Sequence, residues 1–170
     1  ILTRSMIVFG QGAIRCHPFV QDEMRGAFEK DLARFDRAFF GHVGFVFTNV
    51  ARTFWLGLTG GAFASAPTSG PATAYYRRST RLSSAFALAA DVAMGTLGGA
   101  LKRKEMLTGR LADIHGWLYL SSTALKRFHD EGSKERDFPA LRWACEYAHH
   151  EAQEAYHAFL QNLPLRPAAW

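Results

Sequence analysis

Apolar residues recur every three or four positions along nearly the whole chain, and no segment alternates them with period two. That spacing puts an apolar stripe on one face of a helix and supplies nothing for a half-buried strand. Leu32, Phe35, Phe39, Val43, Val46, Val50, Phe54 and Leu58 form one stripe on a long helix, with Asp36, Arg37, Asn49 and Arg52 mostly off it. Gly60-Gly61 should stop that helix. A linker near residues 60–71 follows, in the small-residue stretch AFASAPTSGPA (62–72) with its prolines, and Pro71 suits the first turn of the next helix. This next helix carries Tyr75, Leu82, Phe86, Ala89, Val92 and Leu97 inward; Gly95, Gly98 and Gly99 either end it or admit a neighbouring backbone.

A further stripe runs Leu107, Leu111, Ile114, Leu118, Leu125 and Phe128, closed by Gly132. Asp137 is placed as an N-cap, with Pro139 in the first turn of the last helix. The inner face of that helix is Leu141, Cys145, Ala148, Ala152, Ala155, Phe159 and Leu163, small enough for close helix contact. Pro18 starts a shorter helix, and an apolar helical run already occupies the first residues. The expectation is an all-α bundle of about four to six helices.

At 170 residues, with 48% hydrophobic residues and 14 Phe, the chain can bury a core and is not disordered. Its net charge of +5 and pI near 9.5 allow nucleic acid, an anionic membrane surface or an anionic substrate as partner, beside the default of a solvated surface. Cys16 and Cys145 form no CxxC and suit a reducing compartment. No signal peptide is read at the start. The longest apolar region, residues 38–55, is broken by His42, Asn49 and Arg52, short of the roughly 18 uninterrupted apolar residues of a spanning helix. A soluble or peripheral protein is expected.

Three constellations invite chemistry. Glu146/His149 and Glu154/His157 have the Glu-x-x-His spacing of di-iron bundles, but eight residues separate the pairs, about 12 Å along a helix. Glu146, His149, His150, Gln153 and His157 are read as a solvated face opposite the alanines, so no metal ligands are expected there or elsewhere. Basic residues stand beside apolar ones at 75–78, 100–105 and 125–128, without a nucleic-acid-reading module; no nucleic-acid partner is expected. The glycine-rich stretches 57–61 and 95–99 are neither a P-loop nor a dinucleotide fingerprint. Ser69, Ser83, Ser84, Ser121 and Ser122 lack a nucleophile-elbow context or an identified partner His. Composition and spacing alone therefore give a helical domain without a self-contained catalytic set.

Exact strings say more. IVFGQGAIRCHPFV (7–20), FDRAFFGHVGF (35–45), LGLTGG (56–61), RLSSAFALAADVAMGTLGGALKRKEML (81–107), GRLADI (109–114) and NLPLRPAAW (162–170) resemble the C-terminal part of bacterial long-chain acyl-CoA dehydrogenases of fatty-acid oxidation, the FadE type. The resemblance spans essentially the whole chain. It implies residues 1–17 as the end of the dehydrogenase's C-terminal helical domain and residues 18–170 as an appended helical domain. In that family a Glu-Gly-(Thr/Ala)-x-x-(Ile/Leu)-x-Arg loop carries the catalytic base. Leu2 and Arg4 match its last two motif positions, so the base is expected four residues before Ile1 and no catalytic residue lies in this chain.

The implied chemistry is oxidation of a long-chain acyl-CoA to the trans-2-enoyl-CoA. A carboxylate takes the α-proton and FAD the β-hydride, and electrons leave to an electron-transfer flavoprotein. FAD is expected to be bound mainly by upstream sequence. Arg4 is the cofactor-side candidate in this chain, expected to position the loop that holds the base. Related very-long-chain enzymes use an added C-terminal helical region for dimer contact and membrane association. The resemblance therefore allows a homodimer, and a cytoplasmic enzyme docked peripherally on the anionic inner membrane through the Phe-rich helix and basic clusters. The competing expectation is a non-catalytic helical module for dimerisation or membrane attachment.

Overall fold

A computed structural model describes residues 17–164; the opening helical run, Arg4 and Cys16 lie outside the described residues. Among the described residues there are five α-helices and no strand: α1 (Val20–Glu29), α2 (Leu32–Leu58), α3 (Thr73–Leu97), α4 (Glu105–Asp130) and α5 (Phe138–Asn162). Short 3-10 segments, Gly98–Arg103 and Glu135–Asp137, lead into α4 and α5. The all-α bundle expected from the periodicity is the fold observed.

The most extensive pairing is α4 against α5. Leu107, Leu111, Ile114 and Leu118 of α4 meet Ala155, Phe159 and Leu163, with Leu82, Ala90 and Ala93 of α3 closing the cluster. A second cluster joins Leu125 and Phe128 of α4 to Leu141 and Cys145 of α5, under Ala72, Tyr75 and Tyr76. Every residue of the stripes read on α4 and α5 is buried. Each large apolar side chain so buried contributes roughly 1.5–3 kcal/mol, and alanines at 148, 152 and 155 let α5 approach closely. Tyr156 fixes the third helix from the same side, its hydroxyl donating to the Leu82 carbonyl at 2.6 Å.

α1 and α2 form a separate hairpin laid along α3. Lys30 takes a left-handed φ of 57° at the end of α1, and Asp31 caps α2 by accepting the Arg34 N–H at 3.0 Å. Arg34 then ties the hairpin, its guanidinium 2.7 Å from Asp22 and 3.2 Å from Glu29. Two glycines permit the close approach: a Cβ at Gly26 would lie 2.8 Å from the Phe35 nitrogen, and one at Gly41 would lie 2.5 Å from the Phe19 ring.

Helix ends follow the sequence with small differences. Gly98, at φ 48°, ends α3, and a Cβ added at Gly95, Gly98 or Gly99 would meet nothing within 4 Å, so none of the three admits a neighbour among the described residues. Pro139 lies in the first turn of α5; Asp137 occupies the cap position but makes no capping bond, and its carboxylate faces Arg136 at 3.7 Å instead. Pro71 falls just before the Ala72 cap of α3. The stretch Thr73–Arg103 is long and apolar enough to cross a membrane by length and composition. Here it packs against α2, α4 and α5 as a bundle helix, with Leu82, Ala90 and Ala93 in the core.

Candidate functional site

The feature that sets this bundle apart is the orientation of α2. Its Phe-rich stripe turns away from the other described helices: Phe40 is 69% exposed, Phe47 71% and Phe54 71%, with Leu32, Phe39, Val43, Val50 and Leu58 also exposed. From Phe39 to Leu58 the one Lys, Arg, Asp or Glu is Arg52, which lines a cavity facing α3 and α4. Phe28 of α1 and Phe63 beyond α2 are exposed as well, and Trp55 stacks on Phe63 with ring centroids 5.9 Å apart.

The side of α2 that meets α3 is polar. Buried Asn49 donates through Nδ2 to Asp91 Oδ2 at 3.2 Å, and the Thr53 hydroxyl donates to the Ser84 carbonyl at 3.0 Å. His42 Nδ1 is 2.8 Å from Glu23 Oε1. Asn49, placed off the apolar stripe by its spacing, is therefore inside. Its amide and the Asp91 carboxylate satisfy each other across the helix contact, as buried polar groups must. An apolar face of this size, left uncovered by the described residues, marks a surface made for contact.

A correction concerns His149. It was placed on the solvated face of α5, and it is fully buried. Its Nε2 lies 2.8 Å from Ser79 Oγ and 2.9 Å from Ser121 Oγ, and the two hydroxyls are 3.2 Å apart. Ser121 Oγ also reaches Cys145 Sγ at 3.9 Å. Burial, aided by Arg78 and Arg81, lowers the imidazole pKa to about 4, so the ring is neutral at pH 7. Nδ1 is buried with no hydrogen-bond partner among the described residues. The spacing held the signal: position 149 is four residues after Cys145 and three before Ala152, on the edge of the inner stripe. Burial pushes the Cys145 thiol up, which keeps it unreactive.

Glu146 points the other way, exposed and held by Arg142 at 3.0 Å and the Tyr75 hydroxyl at 3.1 Å; it shares no site with His149. His150, Gln153, Glu154 and His157 are exposed as expected, with His157 bonded to Gln161. The basic residues disperse. Lys126 and Arg127 pair with Asp130 and Glu131 at 2.7 and 2.9 Å, whereas Arg77, Arg78, Lys102, Arg103 and Lys104 are exposed elsewhere.

Neither of two cavities lined by the described residues fits a flavin. A cavity of about 260 Å³, lined by Arg52, Tyr76, Ser79, Thr80, Ser83, Ser122 and Leu125, is narrower than the 300–1,000 Å³ common for small-molecule sites and lacks an apolar slot for an isoalloxazine ring. A second, of about 490 Å³, is lined by Thr123, Lys126, Arg127, Asp130 and Glu131 at the charged end of α4, with no aromatic or aliphatic residue to face a flavin ring. No step of flavin chemistry is assigned to these residues.

The family is shown by direct comparison. Residues 14–170 match the family described as acyl-CoA dehydrogenase, C-terminal, bacterial type. The chain belongs to that family: it is a C-terminal part of an acyl-CoA dehydrogenase, an oxidoreductase family whose substrates are acyl-CoA thioesters and which generally uses FAD. No solved structure matches the chain.

Proposed function

We propose that this chain is the assembly domain of a long-chain acyl-CoA dehydrogenase, built to be covered along α2 rather than to perform the chemistry. The observation that carries this reading is the uncharged apolar face from Phe39 to Leu58, opposed by a polar seam toward α3. Interfaces that form permanently resemble a core cut in half and are depleted of charge at their centre. The proposed dehydrogenation of a long-chain acyl-CoA to the trans-2-enoyl-CoA, with FAD as acceptor and an electron-transfer flavoprotein downstream, belongs to the enzyme as a whole. In this reading the catalytic Glu lies just before Ile1, and Arg4 positions its loop. Residues 1–17 close the catalytic helical domain and residues 18–170 append to it. A homodimer contact, or a contact with the enzyme's other domains, would cover α2.

A second reading has its own support. Exposed Phe residues with Trp55 at the end of the helix, on a chain of net charge +5, suit peripheral attachment to an anionic inner-membrane surface from the cytoplasm. The test uses the full-length protein with Phe47→Ser and Phe54→Ser together. Under the assembly reading, sedimentation shows a smaller particle or a loosened enzyme, and flotation with anionic liposomes is unchanged. Under the membrane reading, flotation falls and the particle size holds. A variant that matches wild type in both would remove α2 from either role. Anaerobic palmitoyl-CoA should bleach the flavin band of the wild-type enzyme; a colourless protein inert to acyl-CoA even with added FAD would refute the dehydrogenase reading.

A further inference from the structure

Where the α1–α2 hairpin meets α3, three side chains from separate elements converge. His17 precedes α1, His42 lies midway along α2, and Asp91 lies in the second half of α3; one ligand atom from each falls within 4.8 Å of the others. All three are partly buried. The His17 and His42 rings approach to 4.3 Å between centroids at 50° to one another, packed against Phe45 and Phe19.

The partners around the three groups are arranged as supports. Glu23 takes His42 Nδ1 at 2.8 Å, which fixes that ring's tautomer and leaves Nε2 free for ligation. Asn49 holds one Asp91 oxygen, Oδ2, at 3.2 Å. His17 Nε2 is buried with no hydrogen-bond partner among the described residues. Metal-binding histidines commonly give their second nitrogen to a carboxylate, and metal-binding carboxylates are themselves hydrogen-bonded.

We infer that His17, His42 and Asp91 form a binding site for a divalent cation of the zinc type, which staples the α1–α2 hairpin to α3. Two imidazoles and one carboxylate are a borderline donor set suited to Zn²⁺, with water completing a tetrahedron. Spacing along the chain offers no hint of it, because the ligands are 25 and 49 residues apart.

One contact must change for the cation to bind. His17 Nδ1 accepts the backbone N–H groups of Phe19 and Val20, both at 3.3 Å, so the neutral ring carries its proton on Nε2. Ligation through Nε2 releases that proton to solvent, Nδ1 takes one up, and the ring turns off the two N–H groups. Both bonds are longer than the usual 2.9–3.0 Å and are weak ones to give up. Cation binding is therefore coupled to the start of α1, and the ring's tautomer reports it.

The test is calorimetric titration of the chelator-treated full-length protein with Zn²⁺. Wild type should bind one equivalent that Asp91→Asn and His42→Gln each weaken at least tenfold, with Glu23→Ala also losing about 10–100-fold as a supporting group does. His157→Gln, on the exposed face of α5, should leave it unchanged. Histidine nitrogen NMR should show His17 passing from the Nε2–H to the Nδ1–H tautomer on adding Zn²⁺. Asp91→Asn preserves shape, so it decides the matter if His42→Gln does not fold. Zn²⁺ binding of equal strength in Asp91→Asn, or a His17 tautomer that does not respond, would overturn the proposal. So would the absence of a stoichiometric site in wild type.

Discussion

The α4–α5 pair and the α1–α2 hairpin are built from the same kind of amphipathic sequence and use it in opposite senses. In α4 and α5 the stripe is mostly leucine and alanine, with Phe128 and Phe159 as its two aromatics, and it faces a shared core. In α2 the stripe is mostly aromatic and branched and faces away, while Asn49 and Thr53 make the contact with α3. Small residues explain the first arrangement, since Ala148, Ala152 and Ala155 let two helices approach. The second follows from geometry at the hairpin: Gly26 and Gly41 admit α1 on one side of α2, and the polar seam fixes α3 on another. The remaining side, with its large aromatics, has nothing among the described residues to cover it. An apolar stripe thus shows that a helix face will be covered, without saying by what.

Four experiments test this contrast. The largest effect belongs to the dry half: Phe159→Ala, at a fully buried position, should cost about 3–5 kcal/mol in urea unfolding. A loss below about 1 kcal/mol would mean that the α4–α5 core is not the stable unit. Next is acid sensitivity. The His149 pKa falls from the ordinary 6.5 to about 4 on folding, so the unfolded chain binds the extra proton. Its contribution is complete above about pH 6.5 and is lost progressively as the pH drops toward 4, by about 3 kcal/mol in all. Asn at position 149 should flatten that part of the pH–stability curve; an identical curve would show that another group controls it.

Smaller effects test the hairpin. Gly26→Ala forces a Cβ within 2.8 Å of the Phe35 nitrogen and should cost about 1–3 kcal/mol, despite alanine's better helix propensity. A stabilised variant would show that α1 and α2 can part without penalty. Smallest of all, Phe47→Ser should change the domain's own stability by no more than about 0.5 kcal/mol. Its effect should appear instead in association. A large loss of stability from this exposed side chain would show that α2 is covered within the domain itself, against the orientation described.

Much of the fold could be read in the one-dimensional pattern. Helices α2 to α5, the stop at Gly60-Gly61, Pro139 in a first turn and the complete inner faces of α4 and α5 follow from helical periodicity and backbone chemistry. Those are local properties, carried by residues within a few turns of one another. His149 was recoverable in principle, since it lies at the edge of the α5 stripe, but its polarity suggested the outside. The two serines that accommodate it, Ser79 and Ser121, come from α3 and α4 and are brought there only by packing.

Local pattern is enough to specify an all-α chain, the register of its core helices and, through exact strings, its membership of the bacterial-type acyl-CoA dehydrogenase family. Packing had to settle which face of α2 meets α3, which histidine of the last helix is buried, and that His17, His42 and Asp91 converge. The reason is physical. Periodicity specifies a side of a helix relative to its own axis, whereas burial and convergence depend on how several axes pack, and that is settled by contacts dozens of residues apart in the chain.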